Sequence, residues 1–220
     1  MRDRTEVFNT ILKNGIIAVI RAPDSETAFK LAEAAYRGGI NAVEITMTVP
    51  AGIEIIRELS EKYRDSDLMI GAGTILDAET ARLAILNQAE YIIAPHLDVS
   101  VIETCHRYNR LCIPGAMSVT EIVKAMTGGA DLVKVFPASI LGPGFIKAVR
   151  GPLPHAMMVP TGGVSIDNIE TWFEAGAAAV AVGGELTREA IQKSDYGLLE
   201  STAREFVTRA KAAKQKLAEK

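Results

Sequence analysis

Two ionisable side chains occur inside apolar segments, where they could take part in chemistry. Lys134 lies in DLVKVFP, and Glu44 lies in NAVEITM. Burying a charge is costly, so a buried ammonium group tends to lose its proton and a buried carboxyl group tends to keep one. A neutral amine attacks a carbonyl carbon, and such a carboxyl group exchanges protons near neutral pH. The pair therefore indicates imine (Schiff-base) chemistry, with Lys134 as nucleophile and Glu44 as general acid and base.

These residues also have structural interpretations. The stem of Lys134 could pack at a strand end while its head reaches water, and Glu44 could form an ion pair with Lys134 or Arg21. Arg21 ends the apolar segment GIIAVIR. Its guanidinium suits bidentate binding of a carboxylate, but a position in a surface loop is equally consistent. The rest of the chain favours the catalytic interpretation.

Eight apolar segments of strand length, each followed by a helical pattern, would position these side chains. They are GIIAVIR, NAVEITM, DLMIGAG, EYIIAP, LCIP, DLVKVFP, AMMVPTGG and AAVAVGG. Strands that are apolar throughout are typical of a parallel sheet covered on both faces. We therefore predict a single domain over residues 1–220, an α/β fold of the (β/α)₈ TIM barrel type with an N-terminal helix over residues 3–14 and a terminal helix over residues 196–217. The alternative, a doubly wound open sheet, would need a G-x-G-x-x-G turn that GIIAVIRAPDS lacks.

The carboxyl ends of the strands are the expected place for the site, because such barrels carry their chemistry there. The candidates at these ends are Arg21, Glu44, Thr74, Pro95, Lys134, Phe136, Thr161, Gly162, Gly163, Gly183 and Gly184. The glycine pairs after strands seven and eight are ordinary turns when taken singly. Together they indicate a phosphate site built from backbone N–H groups.

Composition argues against several other classes. The net charge of −3 gives no indication of a nucleic-acid partner or a basic membrane-binding patch. The two cysteines, Cys105 and Cys112, are expected to pack as small apolar groups, which fits a reducing cytoplasm. We expect no signal peptide and no transmembrane segment. The three histidines show no metal-ligand spacing, so neither a metal nor another cofactor is expected.

Seven short motifs point to a known family. They are AVEIT, IGAGT, YIIAP, IPGAMSVTE, VKVFPA, PTGGV and VGG, in this order. Over roughly residues 10–210 the chain resembles the 2-keto-3-deoxy-6-phosphogluconate (KDPG) and 4-hydroxy-2-oxoglutarate (KHG) aldolases. The resemblance implies a class I aldolase without a cofactor, acting on a small 2-oxo acid and usually forming a homotrimer.

The resemblance also implies roles for single residues. Lys134 would form the imine with the C2 carbonyl, and Glu44 would shuttle protons through water. The other implied contacts are Thr74, Pro95 and Phe136 at the pyruvyl end and Gly162, Gly163, Gly183 and Gly184 at the phosphate. The implied reaction is reversible cleavage of KDPG to pyruvate and glyceraldehyde 3-phosphate. The same chemistry on KHG, on the galactonate epimer or on the unphosphorylated acid is an alternative, and a sugar-phosphate isomerase or a sugar-acid-binding protein without turnover is a rival.

Two positions depart from the family pattern. Thr48 stands where many members carry an arginine that contacts the carboxylate, and Arg21 could substitute for it. Glu185 stands where some members have a serine after the second glycine pair. A carboxylate beside a phosphate is repulsive unless it turns outward, so Glu185 bears on whether the substrate is phosphorylated.

Overall fold

Short strands alternate with helices along the chain. The structure is a computed structural model that describes residues 2–219. The strands are β1 Ile16–Ile20, β2 Ala42–Thr46, β3 Met69–Gly73, β4 Tyr91–Ile93, β5 Leu111–Ile113, β6 Gly115–Ala116, β7 Val133–Val135, β8 Met158–Pro160 and β9 Val180–Val182. The helices are α1 Arg4–Asn14, α2 Ser25–Arg37, α3 Gly52–Lys62, α4 Ala78–Leu86, α5 Val99–Arg107, α6 Val119–Thr127, α7 Ala138–Arg150, α8 Ile169–Glu174, α9 Gly184–Lys193 and α10 Tyr196–Ala218.

The strands form a curled parallel arrangement. Six of them make one sheet in the order β5-β4-β3-β2-β1-β9, and three make a second sheet in the order β6-β7-β8. Every pairing in both sheets is parallel. A single parallel bridge, Thr161 to Ala181, joins the residue after β8 to β9. The structure is thus an α/β fold with consecutive strands placed side by side, as βα units require.

The fifth predicted strand is divided in two. The prediction gave eight strands, whereas residues 2–219 contain nine, because Pro114 separates β5 from β6. Proline has no N–H to contribute to a ladder, so it interrupts the pairing. The carbonyl of Pro114 still accepts a hydrogen bond from the backbone N–H of Lys134 at 2.8 Å. β6 therefore continues the direction of β5 and pairs with β7.

Strand side chains alternate between an outer layer under the helices and an inner cluster. Val7 and Ile11 of α1 belong to the inner cluster, together with residues that start or precede strands, such as Met69, Leu111 and Leu132. Helix α1 therefore closes the amino end of the interior. The carboxyl end is left for a site.

Most helices lie where the sequence predicted them, and one was missed. Helix α1 begins with a capping box at Asp3 and ends at Gly15, which has a φ of 74°. The terminal helix is α10, and it packs against α2, α8 and α9. Helix α9, which lies between β9 and α10, was not predicted. None of the helices within residues 2–219 is both long and apolar enough to cross a membrane.

Candidate active site

Lys134 and Glu44 both lie on the inner face of the strands. Lys134 is the middle residue of β7 and is 3% exposed, and Glu44 is the middle residue of β2 and is 0% exposed. Leu132 and Ala42, two positions before them, belong to the inner cluster, as a period of two requires. The Nζ atom of Lys134 lies 5.2 Å from the centre of the Phe136 ring. An amine and a carboxyl group thus share one largely dehydrated interior.

The carboxyl group of Glu44 is fully buried. Among the described residues, neither of its oxygens has a donor. Burial raises the pKa of Glu44 above its ordinary value of 4.5, and the charges of Lys134 and Arg21 offset part of this rise. The charges of Lys134 and Arg21 therefore act on Glu44 at a distance, but neither side chain hydrogen-bonds to it in the described chain. Glu44 thus does not form the buried ion pair of the structural interpretation. A carboxyl group in this condition is suited to proton transfer.

Two glycines of β3 make room for this arrangement. A Cβ at Gly73 would lie 1.8 Å from Oε1 of Glu44, and a Cβ at Gly71 would lie 2.2 Å from Cε2 of Tyr91. Both inner positions are therefore filled by side chains from the neighbouring strands β2 and β4. The Tyr91 hydroxyl is also buried and has no partner in the described part of the chain. Glu44 and Tyr91 occupy successive layers of the interior.

A cavity of about 120 Å³ lies at the carboxyl ends of β1, β7, β8 and β9. Seven of the predicted site residues line it: Arg21, Phe136, Thr161, Gly162, Gly163, Gly183 and Gly184. Gly162 and Gly163 have φ values of 89° and 78°, a region that a side chain disfavours, so glycine is needed there. Lys134 and Glu44 do not line the cavity, but each has a neighbour that does: the Phe136 ring lies beside Lys134, and Val19 is the register partner of Glu44.

Thr74 and Pro95 lie outside the lining of this cavity. Thr74 directly follows β3 and has a φ of 58°, which is rare for a β-branched residue. A Cβ at Gly115 would lie 2.3 Å from the carbonyl carbon of Pro95, so the chain after β4 packs tightly on β6. Both residues therefore stand at the carboxyl end of the strands, on the side of the interior away from the glycine pairs. Thr74 holds a strained backbone, a feature that often accompanies function.

Two charged residues of α9 line the cavity, and only one of them was expected near the site from the sequence. Glu185 and Arg188 both line it, and Arg188 Nη2 lies 3.4 Å from Glu185 Oε1. Arg188 was missed because α9 was missed. The available signal was the spacing of the two charges by three residues directly after Gly183 and Gly184, which is typical of a first helical turn.

The arrangement can hold an anion beside a carbonyl compound. Arg21 and the glycine backbone supply donors and positive charge at one end, and Lys134 and Glu44 supply an amine and a proton carrier at the other. Within residues 2–219, no three His, Cys, Asp or Glu residues are grouped so that they could hold a metal ion. The amine and the buried carboxyl group are chemically suited to imine formation with an anionic carbonyl compound.

The comparisons with known proteins give the family. The sequence profile of the KDPG and KHG aldolases matches residues 7–201. A 2-dehydro-3-deoxy-6-phosphogalactonate aldolase of Escherichia coli is 33% identical over 79% of this chain and 84% of its own. A 2-dehydro-3-deoxy-phosphogluconate aldolase of Pseudomonas aeruginosa is 31% identical over 95% of this chain and 96% of its own. The chain belongs to the KDPG and KHG aldolase family.

A solved structure of a relative supports the fold and the chemistry of the family. The KDPG aldolase of Legionella pneumophila, with pyruvate captured at low pH as a covalent carbinolamine intermediate, superposes with a TM-score of 0.82. It is 28% identical, and the match covers 90% of this chain and 96% of the other. A carbinolamine is the adduct of an amine with a carbonyl carbon, which precedes an imine.

Proposed function

We propose that this protein is a class I aldolase that reversibly cleaves KDPG to pyruvate and glyceraldehyde 3-phosphate. The observation that carries the proposal is the buried amine of Lys134 in the same interior as the buried carboxyl group of Glu44, which accepts no hydrogen bond from the described residues. Membership of a family whose Legionella member holds a pyruvate carbinolamine supports it. The reaction needs no cofactor, because the protonated imine itself accepts the electrons of the breaking bond.

The proposed reaction begins when the amine of Lys134 adds to the C2 carbonyl and water leaves, forming an iminium ion. Glu44, directly or through water, then takes the proton of the C4 hydroxyl. The C3–C4 electrons move into the iminium, which becomes an enamine, and the aldehyde leaves. Protonation of C3 and hydrolysis of the new imine release pyruvate and restore Lys134. Glu44 fits the proton-carrying role because its raised pKa keeps both protonation states accessible.

The remaining predicted residues hold the two ends of the substrate in this proposal. Arg21 binds a carboxylate or phosphate oxygen, and the backbone around Gly162, Gly163 and the start of α9 binds the phosphate. Thr161 has a buried hydroxyl without a partner in the described chain, which the substrate can satisfy. Thr74, Pro95 and Phe136 surround the pyruvyl part.

The two sheets fit one closed (β/α)₈ barrel, and the whole chain fits one domain. Two features support closure: β5 and β6 are separated by Pro114 alone, so they count as one strand, and the Thr161–Ala181 bridge joins the two sheets at β8 and β9. In such a barrel the carboxyl ends of all strands converge, which places the site at their common mouth.

Borohydride reduction in the presence of pyruvate tests the imine. Mass spectrometry with peptide mapping should find a pyruvyl adduct on Lys134 in the parent protein and none on Lys134→Ala. Lys214→Ala is the matched control, since burial lowers the pKa of Lys214 but its amine donates to the backbone carbonyl of Leu12. A folded parent protein that gains no adduct would favour a sugar-phosphate isomerase with Glu44 as base.

The C4 epimer is a second candidate substrate, favoured by one observation. The phosphogalactonate aldolase of E. coli is as similar to this chain as the phosphogluconate enzymes are. Cleavage rates measured on the two phosphorylated epimers, and on KHG, would rank them. A kcat/KM for the galactonate epimer above that for KDPG would replace the first candidate by the second.

We further propose a homotrimer. Large exposed apolar side chains concentrate between residues 76 and 140: Leu76, Leu83, Leu86, Val99, Met117, Val119, Val123 and Ile140. Leu83, Leu86 and Val99 lie on α4 and α5, which pack against each other, and neighbouring exposed apolar side chains are typical of a subunit interface. Light scattering should give about three times the chain mass of 23.6 kDa, and a monomer mass would contradict the proposal. A cytoplasmic location stays a prediction.

A further inference from the structure

We propose that Glu185 and Arg188 form an exchangeable ion pair that selects substrates with an anionic group, such as a phosphate monoester, at the end remote from the 2-oxo acid. When the anion enters the cavity, Arg188 leaves Glu185 and binds it, and Glu185 turns to solvent. The inference rests on the proposed function, because it takes the 120 Å³ cavity as the place of that remote end.

Arg188 lies within reach of an anion at the start of α9. Arg188 and Glu185 both line the cavity, along with Arg21. A Cβ at Gly184 would lie 3.2 Å from Arg188 Nη2, so the guanidinium lies over the first residue of α9. This is the place where the backbone N–H groups of a helix N-terminus are exposed. Arg188 can therefore reach an anion bound at that terminus without a change of backbone.

The charge of the cavity suits an anion once the ion pair opens. Its charged lining residues are Arg21, Arg188 and Glu185, so one positive charge is left when Arg188 and Glu185 neutralise each other. A phosphate monoester carries a charge of about −1.5 to −2 near neutral pH. If Arg188 moves to the anion, the two guanidinium groups of Arg21 and Arg188 balance its charge. The start of α9 adds a partial positive charge, and the described chain offers no side-chain cap there.

The ion pair between Glu185 and Arg188 is weak. Its closest approach is 3.4 Å, and the two side chains are 65% and 47% exposed. Exposed helix pairs of this kind contribute little, so breaking this one costs little. A charge-assisted, bidentate contact with phosphate is stronger. Glu185 therefore holds Arg188 near the cavity and releases it when a better partner arrives, which also explains how a carboxylate is tolerated beside the anion.

Four proteins test the proposal: the parent, Arg188→Gln, Glu185→Gln and Lys193→Gln. Lys193 is the control, because it forms a similarly exposed pair with Glu189 on the same helix but does not line the cavity. Each is assayed with the phosphorylated and the unphosphorylated 2-keto-3-deoxy acid. Arg188→Gln should raise KM for the phosphorylated acid about tenfold or more, with little change in kcat and no change for the unphosphorylated acid. Glu185→Gln should lower that KM, and Lys193→Gln should change neither.

Equal effects of Arg188→Gln on both substrates, or no effect, would overturn the proposal, and so would a weaker binding of phosphate by Glu185→Gln. Two further readouts separate its failure from failure of the proposed function. Pyruvate lacks the remote anion, so adduct formation on Lys134 should be the same in all four proteins. Calorimetric titration with inorganic phosphate needs no turnover. If the parent forms no adduct but binds phosphate through Arg188, the aldolase proposal fails while the anion site stands.

Discussion

Gly73→Ala should displace the proposed proton carrier without changing any ionisable group. The new Cβ would lie 1.8 Å from Oε1 and 2.4 Å from both Cγ and Cδ of Glu44. Carbon atoms in contact are separated by about 3.5–4.0 Å, so the carboxyl group must move by roughly 1 Å or more. Glu44 is fully buried, and the neighbouring inner position is filled by the Tyr91 ring, so the movement cannot be absorbed by solvent.

The expected loss can be estimated from this displacement. A misplacement of about 1 Å in a reacting group costs on the order of 10²-fold in rate. We therefore expect kcat for cleavage to fall about 100-fold. The overpacking should also lower the free energy of unfolding by about 1–3 kcal/mol. Pyruvate release measured continuously gives kcat and KM, and urea unfolding gives the stability.

Two further variants separate displacement of Glu44 from general crowding. Gly71→Ala adds a Cβ on the same face of the same strand, where it meets Tyr91. It should lower the free energy of unfolding about as much as Gly73→Ala does, but it should lower kcat much less. Gly144→Ala should be silent, since in the described chain nothing lies within 4 Å of its Cβ. A folded Gly73→Ala protein with the parent kcat, or a Gly71→Ala protein with an equal loss of kcat, would refute the role given to the position of Glu44.

Two other substitutions test the site and the frame around it. Glu44→Gln should lower kcat by ~10²-fold or more with little change in KM, and a pure loss of affinity in the same assay would make Glu44 structural. Burial raises the pKa of Glu44 above 4.5, so the folded state binds this proton more tightly than the unfolded state does. The contribution of this proton to the free energy of unfolding is therefore complete below pH 4.5 and is lost as the pH rises through the raised pKa. Glu44→Gln should therefore be more stable than the parent at neutral pH, with the difference vanishing below pH 4.5 in urea unfolding curves. Gly38→Ala would place a Cβ 2.5 Å from that of Ala203, so it should push α10 away from α2. We expect the free energy of unfolding to fall by about 1–3 kcal/mol while kcat stays unchanged. Equal unfolding midpoints for the variant and the parent would contradict this packing.

The alternation of apolar residues was sufficient to place the buried pair. In β2 and β7 the neighbours of Glu44 and Lys134 are apolar on both sides, so a period of two leaves only the inner face for the charged residue. The carboxyl ends of parallel strands meet by topology, which is why Arg21 and the glycine pairs could be grouped in advance. Cys105 and Cys112 are both buried, as expected of cysteines that pack as small apolar groups.

The features that the sequence did not reveal depend on local geometry. Pro114 divides a strand whose apolar pattern runs on unbroken. The buried residues of α9 are Leu186, Thr187 and Ala190, so its apolar face is too short and too weak to read as a helix beside the long α10. Because α9 was not predicted, Arg188 was not recognised as a residue of the site. The crowding of Gly73 against Glu44 depends on the inter-strand register, which no single-strand pattern contains.

The position of helix α1 also determines how the protein would be oriented on a solid support or beside a fused partner. The carboxyl-terminal part of α10 returns to the same end of the strands, where the amine of Lys214 donates to the carbonyl of Leu12. Helix α1 and this last part of α10 thus lie opposite the opening that contains Arg21. A resin, an electrode or a fused partner joined ahead of α1 would therefore hold each molecule with its opening toward the bulk liquid. Immobilised in this way, the protein should exchange reactants as freely as it does in solution.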